Sequence, residues 1–242
     1  MTKMNAKTLP IMIVLGALAL SASAPAGAAS NLSPPVSQNG MTTQTAAASE
    51  AFPGLKTYVN LPAAERSQFN IYYVVRIKHA DPSQVRITLV DSGRSQALSV
   101  LADGRITPLP TRDQLNSGAK ISISGPTEGT YAMKIRVYST QPAGKTYDAS
   151  GLSLGIKQGN AALNKAAGAA SFLLKKLDRV YFVGGGSGTI EVNGKAETLP
   201  RTAGNGEYAA GTPYFVPSQM QGATRITLAG TPSVVMLDTP SK

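Results

Sequence analysis

Along residues 71–138 the chain alternates apolar and polar positions in short runs. Ile71–Lys78, IYYVVRIK, is dense in β-branched and aromatic residues. Val85–Val90 (VRITLV), Lys120–Ser124 (KISIS) and Met133–Tyr138 (MKIRVY) alternate strictly. A period of two sends one set of side chains into a core and the other into solvent, so each run predicts a half-buried strand. Asp81-Pro82, Asp91-Ser92-Gly93, Asp103-Gly104 and Gly125-Pro126 separate them with turn chemistry. Short strands at this spacing predict an antiparallel sandwich or a partly closed barrel.

At Tyr147 the period changes. Leu152, Ile156, Leu163, Ala167, Ala170, Leu174 and Leu177 recur in steps of three, four and seven, which is one face of a helix. Asp148 or Ser150 is placed to cap it. Gly151, Gly155, Gly159 and Gly168 weaken it, each by roughly 1 kcal/mol relative to Ala if interior. The same glycines let another backbone come close. The helix therefore depends on packing. After Arg179 the strand texture returns in Val180–Val183, Thr189–Val192, Arg225–Leu228 and Val234–Leu237.

Asp113–Gly125 (DQLNSGAKISISG) aligns with Ser218–Gly230 (SQMQGATRITLAG) at an offset of 105. Gln114, Ile121 and Gly125 meet Gln219, Ile226 and Gly230. Upstream, Asp91-Ser-Gly93 meets Val192-Asn-Gly194, Asp103-Gly104 meets Asn205-Gly206, and Thr107-Pro108 meets Thr212-Pro213. This order of features predicts two copies of one β unit joined by the helix. The competing reading is that unrelated β segments reuse turn residues whose backbone dihedrals dictate them. The expected fold class is mainly β with a minor α+β component: antiparallel sandwich-like units, duplicated, with one amphipathic helix between them.

The N-terminus sets the expected compartment. Lys3 and Lys7 precede the apolar run Ile11–Leu20, and Ala26-Gly-Ala28 follows. That order is a secretory signal peptide cleaved near Ala28, with an apolar run too short to span a bilayer. Residues 29–50 carry little to bury and read as a flexible tether. The expected organisation is signal peptide 1–28, tether 29–50, β unit 51–147, helix 148–178 and β unit 179–240. Such a chain is periplasmic, secreted or held at the cell surface.

Composition narrows the chemistry. The 242 residues contain no cysteine and one histidine. Thiol catalysis and thiolate zinc sites are excluded, and the core must stand without disulfides. His79 beside Asp81 lacks a recognisable activated serine. Gly184–Gly188 leads into a strand pattern, so it reads as a hairpin connection rather than a phosphate cradle. Asp91, Asp103 and Asp113 read as turn and cap formers. No catalytic, cofactor-binding or metal-binding residue is assigned, and no cofactor is expected. Tyr72, Tyr73 and Tyr131 fall in or beside strand patterns, where core packing accounts for them.

Charge suggests the partner. The chain carries 23 Lys+Arg against 13 Asp+Glu, a net of +10. Arg76, Lys78, Arg86, Lys120, Lys134 and Arg136 occupy the outward positions of the predicted strands. Aligned on one surface they would bind an anion; scattered, they are a solvated face that also deters edge pairing. Ala102-Asp-Gly-Arg-Ile106 with Pro108-Leu-Pro110, and Gln158-Gly-Asn-Ala-Ala-Leu-Asn-Lys-Ala-Ala-Gly168 before Phe172, resemble exported proteobacterial proteins of unknown function. That resemblance implies no activity. The expectation is an exported, non-enzymatic binding or structural protein of the bacterial envelope, whose partner is an envelope protein. The alternative is a binder of anionic polysaccharide or lipid headgroups through the basic strand faces, and the third reading is a hydrolase. Nucleic acid is not an expected partner.

Overall fold

A computed structural model describes residues 13–15, 36–38, 40–168, 175–204 and 207–240. The chain is mainly β and antiparallel throughout. In order its strands are β1 (Ile13–Leu15), β2 (Val36–Gln38), β3 (Met41–Ala47), β4 (Phe69–Lys78), β5 (Arg86–Asp91), β6 (Arg94–Val100), β7 (Ile106–Thr107) and β8 (Lys120–Pro126). There follow β9 (Thr130–Ser139), β10 (Thr146–Asp148), β11 (Arg179–Val183), β12 (Gly188–Val192), β13 (Lys195–Thr198), β14 (Tyr214–Phe215), β15 (Ala223–Leu228) and β16 (Val234–Asp238). The helices are α1 (Ala48–Ala51), α2 (Leu55–Asn60), α3 (Arg112–Asn116) and α4 (Ala149–Ala167).

The chain divides into two compact units. One comprises residues 1–56 and 73–135, the other 57–72 and 136–242. The expected boundaries therefore shift: α4 belongs to the second unit instead of linking two copies.

In the first unit one sheet runs β2-β3-β8-β5-β6-β7. Its inner face holds Ile87, Leu89, Leu98, Ile121 and Ile123, all buried. Each contributes roughly 1.5–3 kcal/mol by leaving water. Phe52 and Tyr73 meet edge to face in the same core, and the Tyr73 hydroxyl donates to the Pro53 carbonyl at 2.5 Å.

In the second unit one sheet runs β10-β15-β12-β13. Tyr147, Ile190, Ile226, Leu228 and Leu199 fill its inner side. A second layer pairs β16 with β11 and with the Val137–Tyr138 end of β9, and β14 with β11. The α4 helix buries Ala149, Leu152 and Ile156 along one stripe. Asp148 caps it, its carboxylate accepting from the Ser150 and Gly151 amides at 3.2 and 2.7 Å.

The two sheets are one design used twice. Shift β3, β5 and β6 by 101 and β8 by 105, and the partners of the first sheet become those of the second. Leu89↔Ile121 becomes Ile190↔Ile226, and Thr88↔Ser122 becomes Thr189↔Thr227. Ala46↔Ile121 becomes Tyr147↔Ile226. Asp91↔Arg94 becomes Val192↔Lys195. Both hairpins turn through two residues of positive φ, Ser92-Gly93 (49° and 78°) and Asn193-Gly194 (51° and 77°). Such turns follow the right-handed twist of the flanking strands. Before β8 and β15 the same helical bond recurs, Leu115 N–H to Thr111 carbonyl and Met220 N–H to Val216 carbonyl, both 3.0 Å. Helix positions correspond too: Ala48, Ala51 and Leu55 are buried, and so are Ala149, Leu152 and Ile156. Shared turn chemistry alone would not preserve register across four strands.

Three expectations need correction. Met41–Ala47, placed in the tether, is a strand paired with β8 along its whole length. Its Thr, Gln and Ala side chains hid it, because a strand tied into a sheet on one side needs little apolar side chain of its own. The helix expected over 148–178 ends at Ala167, where Gly168 turns the backbone to φ 53°. Ala170 and Leu174 lie outside the described residues, and Leu177 is buried in a non-helical segment. Thr107-Pro108 and Thr212-Pro213 do not mark one joint with one role: β7 extends the hairpin strand β6, whereas β14 pairs with β11. Asn205-Gly206 and most of the signal-peptide expectation lie outside the described residues.

Candidate functional site

The register of the repeated sheet fixes what each copy turns to solvent. In the second unit Thr146, Thr227, Thr189 and Thr198 stand directly opposite one another across β10, β15, β12 and β13. All four are exposed. Neighbouring strands lie about 4.8 Å apart, so these hydroxyls form a straight row about 14 Å long. In the first unit the corresponding row is Thr45, Ser122, Thr88 and Ala97. A second row there holds Thr43, Ser124 and Arg86, with the Thr43 and Ser124 hydroxyls 2.7 Å apart. Threonine suits a strand, which explains one such residue and not a matched row in two copies.

Charge trims the two faces differently. Lys120 of the first unit stands in a row with Ala47, Val90 and Ser95. Its counterpart Arg225 stands between Asp148 and Glu191. Arg86 and Lys120 share the outer face of the first sheet, separated by four residues of register, or about 13 Å along the strands. Both are exposed.

The remaining basic candidates do not join them. Arg76 and Lys78 lie on β4 and Lys134 on β9. Arg136 stands among acids. Its guanidinium is ion-paired with Glu207 and lies 3.9 Å from the Asp238 carboxylate, within the second unit. The side chains around it form a cluster of polar and aromatic groups. Tyr208 donates to Asp238 at 2.5 Å and stacks on Tyr181, ring centroids 3.8 Å apart. Tyr138, Met236, Tyr181 and Tyr214 are opposite one another across β9, β16, β11 and β14. Arg179 holds Asp178 and lies over the Tyr214 ring. Burial, then the Asp238 charge, pushes the Tyr208 hydroxyl well above the usual phenol range. Glu207 and Asp238 are thus both held against a cation. That arrangement fixes the loop bearing Tyr208 to the sheet, and offers neither carboxylate as a free acid or base.

The other acids are committed locally. Asp81 accepts from the Ser83 amide, Asp103 from the Arg105 amide, and Asp148 caps α4. Hydrogen bonds from Ser83 hold the Asp81 carboxyl below its ordinary range. His79 is exposed, at φ 58°. Gly184–Gly188 leads into a strand, β12, and not into a helix; it is not the expected hairpin connection, because β11 and β12 belong to different sheets and do not pair. Among the described residues no group of three His, Cys, Asp or Glu could hold a metal, and no helix is long and apolar enough to cross a membrane.

No family model, no curated protein and no solved structure matches this chain.

Proposed function

We infer that the protein is an exported, non-enzymatic binding or structural module of the bacterial envelope. It works through the outer faces of its repeated sheets. One observation carries this reading: three hydroxyl positions recur at the same register on the outer faces of both copies, Thr45, Ser122 and Thr88 in one and Thr146, Thr227 and Thr189 in the other. Surface positions unconstrained by folding drift after duplication, so a retained row points to a shared contact. The acids committed to caps, turns and ion pairs support the non-enzymatic part. The leader-like N-terminus supports export.

Two measurements test it. Fractionation of expressing cells with N-terminal sequencing is expected to find the mature chain outside the cytoplasm, beginning just after Ala28. A photo-crosslinker at Thr189 or Thr88 is expected to trap an envelope component, while one at Leu154 on the exposed side of α4 traps none. A cytoplasmic chain with its leader intact refutes export. Equal trapping from all three positions refutes the sheet faces as the contact.

A further inference from the structure

We propose that the outer face of the first sheet is a binding surface for an acidic polysaccharide, with Arg86 and Lys120 as its charged ends. The proposal rests on the sheet-face reading above and names the ligand of one face. Rows Thr43-Ser124-Arg86, Thr45-Ser122-Thr88-Ala97 and Ala47-Lys120-Val90-Ser95 make up the surface. It holds two cations and no acid. Between them lie the half-buried hydroxyls of Thr45, Ser122 and Thr88, which both donate and accept, as sugar hydroxyls require. Two cations about 13 Å apart along the strands fit carboxylates spaced along an extended chain better than one compact anion.

The second copy provides the contrast. The same register there replaces Arg86 with Ser187 and surrounds Arg225 with Asp148 and Glu191. Its hydroxyl row is complete, yet its charged row carries one base and two acids. A polyanion gains attraction on the first face and meets repulsion on the second. Duplication has kept the hydroxyls and divided the charge, which assigns the acidic ligand to the first copy.

The test is retention of the intact chain on immobilised alginate, a polyuronate, at low salt, with dextran as the neutral control. The Arg86→Gln/Lys120→Gln double variant is expected to bind roughly tenfold more weakly, two exposed pairs having been removed. Arg225→Gln is expected to bind as wild type. Each variant is first shown to keep the wild-type circular dichroism and urea midpoint, and Arg86→Lys/Lys120→Arg is expected to retain binding. No low-salt retention on alginate overturns the proposal, as does equal loss from Arg225→Gln. Equal retention on dextran also overturns it. Binding to phosphatidylglycerol vesicles without binding to alginate overturns the glycan as occupant. Crosslinking from Thr189 and Thr88 is independent of these outcomes, so failure here is distinguishable from failure of the wider reading.

Discussion

Replacing Gly155 with Ala separates helix propensity from packing. By propensity alone the change stabilises α4 by roughly 1 kcal/mol. A Cβ at this position, however, falls 2.9 Å from the Gln68 carbonyl oxygen and 3.2 Å from the Leu237 Cδ2. The Gln68 backbone has little room to give way. Its N–H donates to the Gln158 side chain at 2.9 Å, and its carbonyl accepts from Thr140 at 3.3 Å. Gln158 also donates to the Ala64 carbonyl at 2.7 Å. Moving the helix away stretches these bonds, each worth about 1 kcal/mol, and overpacking adds about 1–3 kcal/mol. The net expectation is a loss of about 1–2 kcal/mol once the propensity gain is subtracted. Gly159→Ala on the same helix meets chiefly the Leu177 Cδ1, at 2.7 Å, the end of a side chain that can rotate. It is expected to be nearly neutral. Urea unfolding monitored by circular dichroism measures both, with an unchanged slope showing that the midpoint reports stability. A Gly155→Ala protein as stable as wild type, or more so, refutes the close-approach argument.

Gly194→Ala places a side chain at φ 77° in open space, so strain alone acts, and a loss of about 1 kcal/mol is expected in the same assay. Lys195 and Glu197 of the edge strand β13 stand opposite Val192 and Ile190, on the core-facing side of the sheet. Inward charges of this kind deter edge pairing, so Glu197→Val is expected to give concentration-dependent association in size-exclusion chromatography. The Ser150 hydroxyl, aided by the Gly151 and Ser150 amides, holds the Asp148 carboxyl below its ordinary range. A depressed carboxyl adds stability above its unfolded pKa and loses it as pH falls through the folded value. Asp148→Ala is therefore expected to cost about 1 kcal/mol at neutral pH, with the gap to wild type closing in strong acid.

Strands with alternating or apolar side chains were legible in the sequence because their inner positions fill the core. Lys120–Ser124, Met133–Tyr138, Val180–Val183 and Thr189–Val192 all lie in strands. Strands at or next to a sheet edge were not. Arg94–Val100 and Lys195–Thr198 keep one deeply buried anchor between them and the turn that follows, Leu98 in the first and Leu199 just beyond the second. Their remaining positions are nearly all solvated and carry no period. The repeat was visible through turns and β8/β15, but its reach into β3 and β10 required register. The expected cationic surface largely dissolved, because strand order decides which outward residues share a face. The cluster around Arg136 was invisible for a similar reason: Glu207 and Asp238 approach it from 71 and about 100 residues away, and sequence spacing carries no trace of such a meeting.

The irregular pairing of β12 with β15 also predicts which residue in a strand can be deleted. Removing one residue from a strand ordinarily turns every later side chain to the wrong face. At the offset of 105 that aligns Leu115 with Met220 and Ile121 with Ile226, Thr224 stands where the first copy has Ala119. Glu191 pairs with Arg225, and Val192 with Ala223, so the register breaks at Thr224. It is the residue a β-bulge leaves unpaired. Deleting it makes Ala223 and Arg225 consecutive, like the Val192 and Glu191 they already pair with on β12. The lost contact is slight, a 3.5 Å approach of its hydroxyl to the Glu191 carbonyl. Deletion of Thr224 is expected to yield a folded protein within about 2 kcal/mol of wild type, on the scale of an ordinary point substitution. Deletion of Thr227, three residues on, would carry Leu228 from the buried face to the solvent face and is expected to abolish cooperative unfolding. Comparable damage from the two deletions would refute the reading of Thr224 as a bulge residue that the ladder does not use.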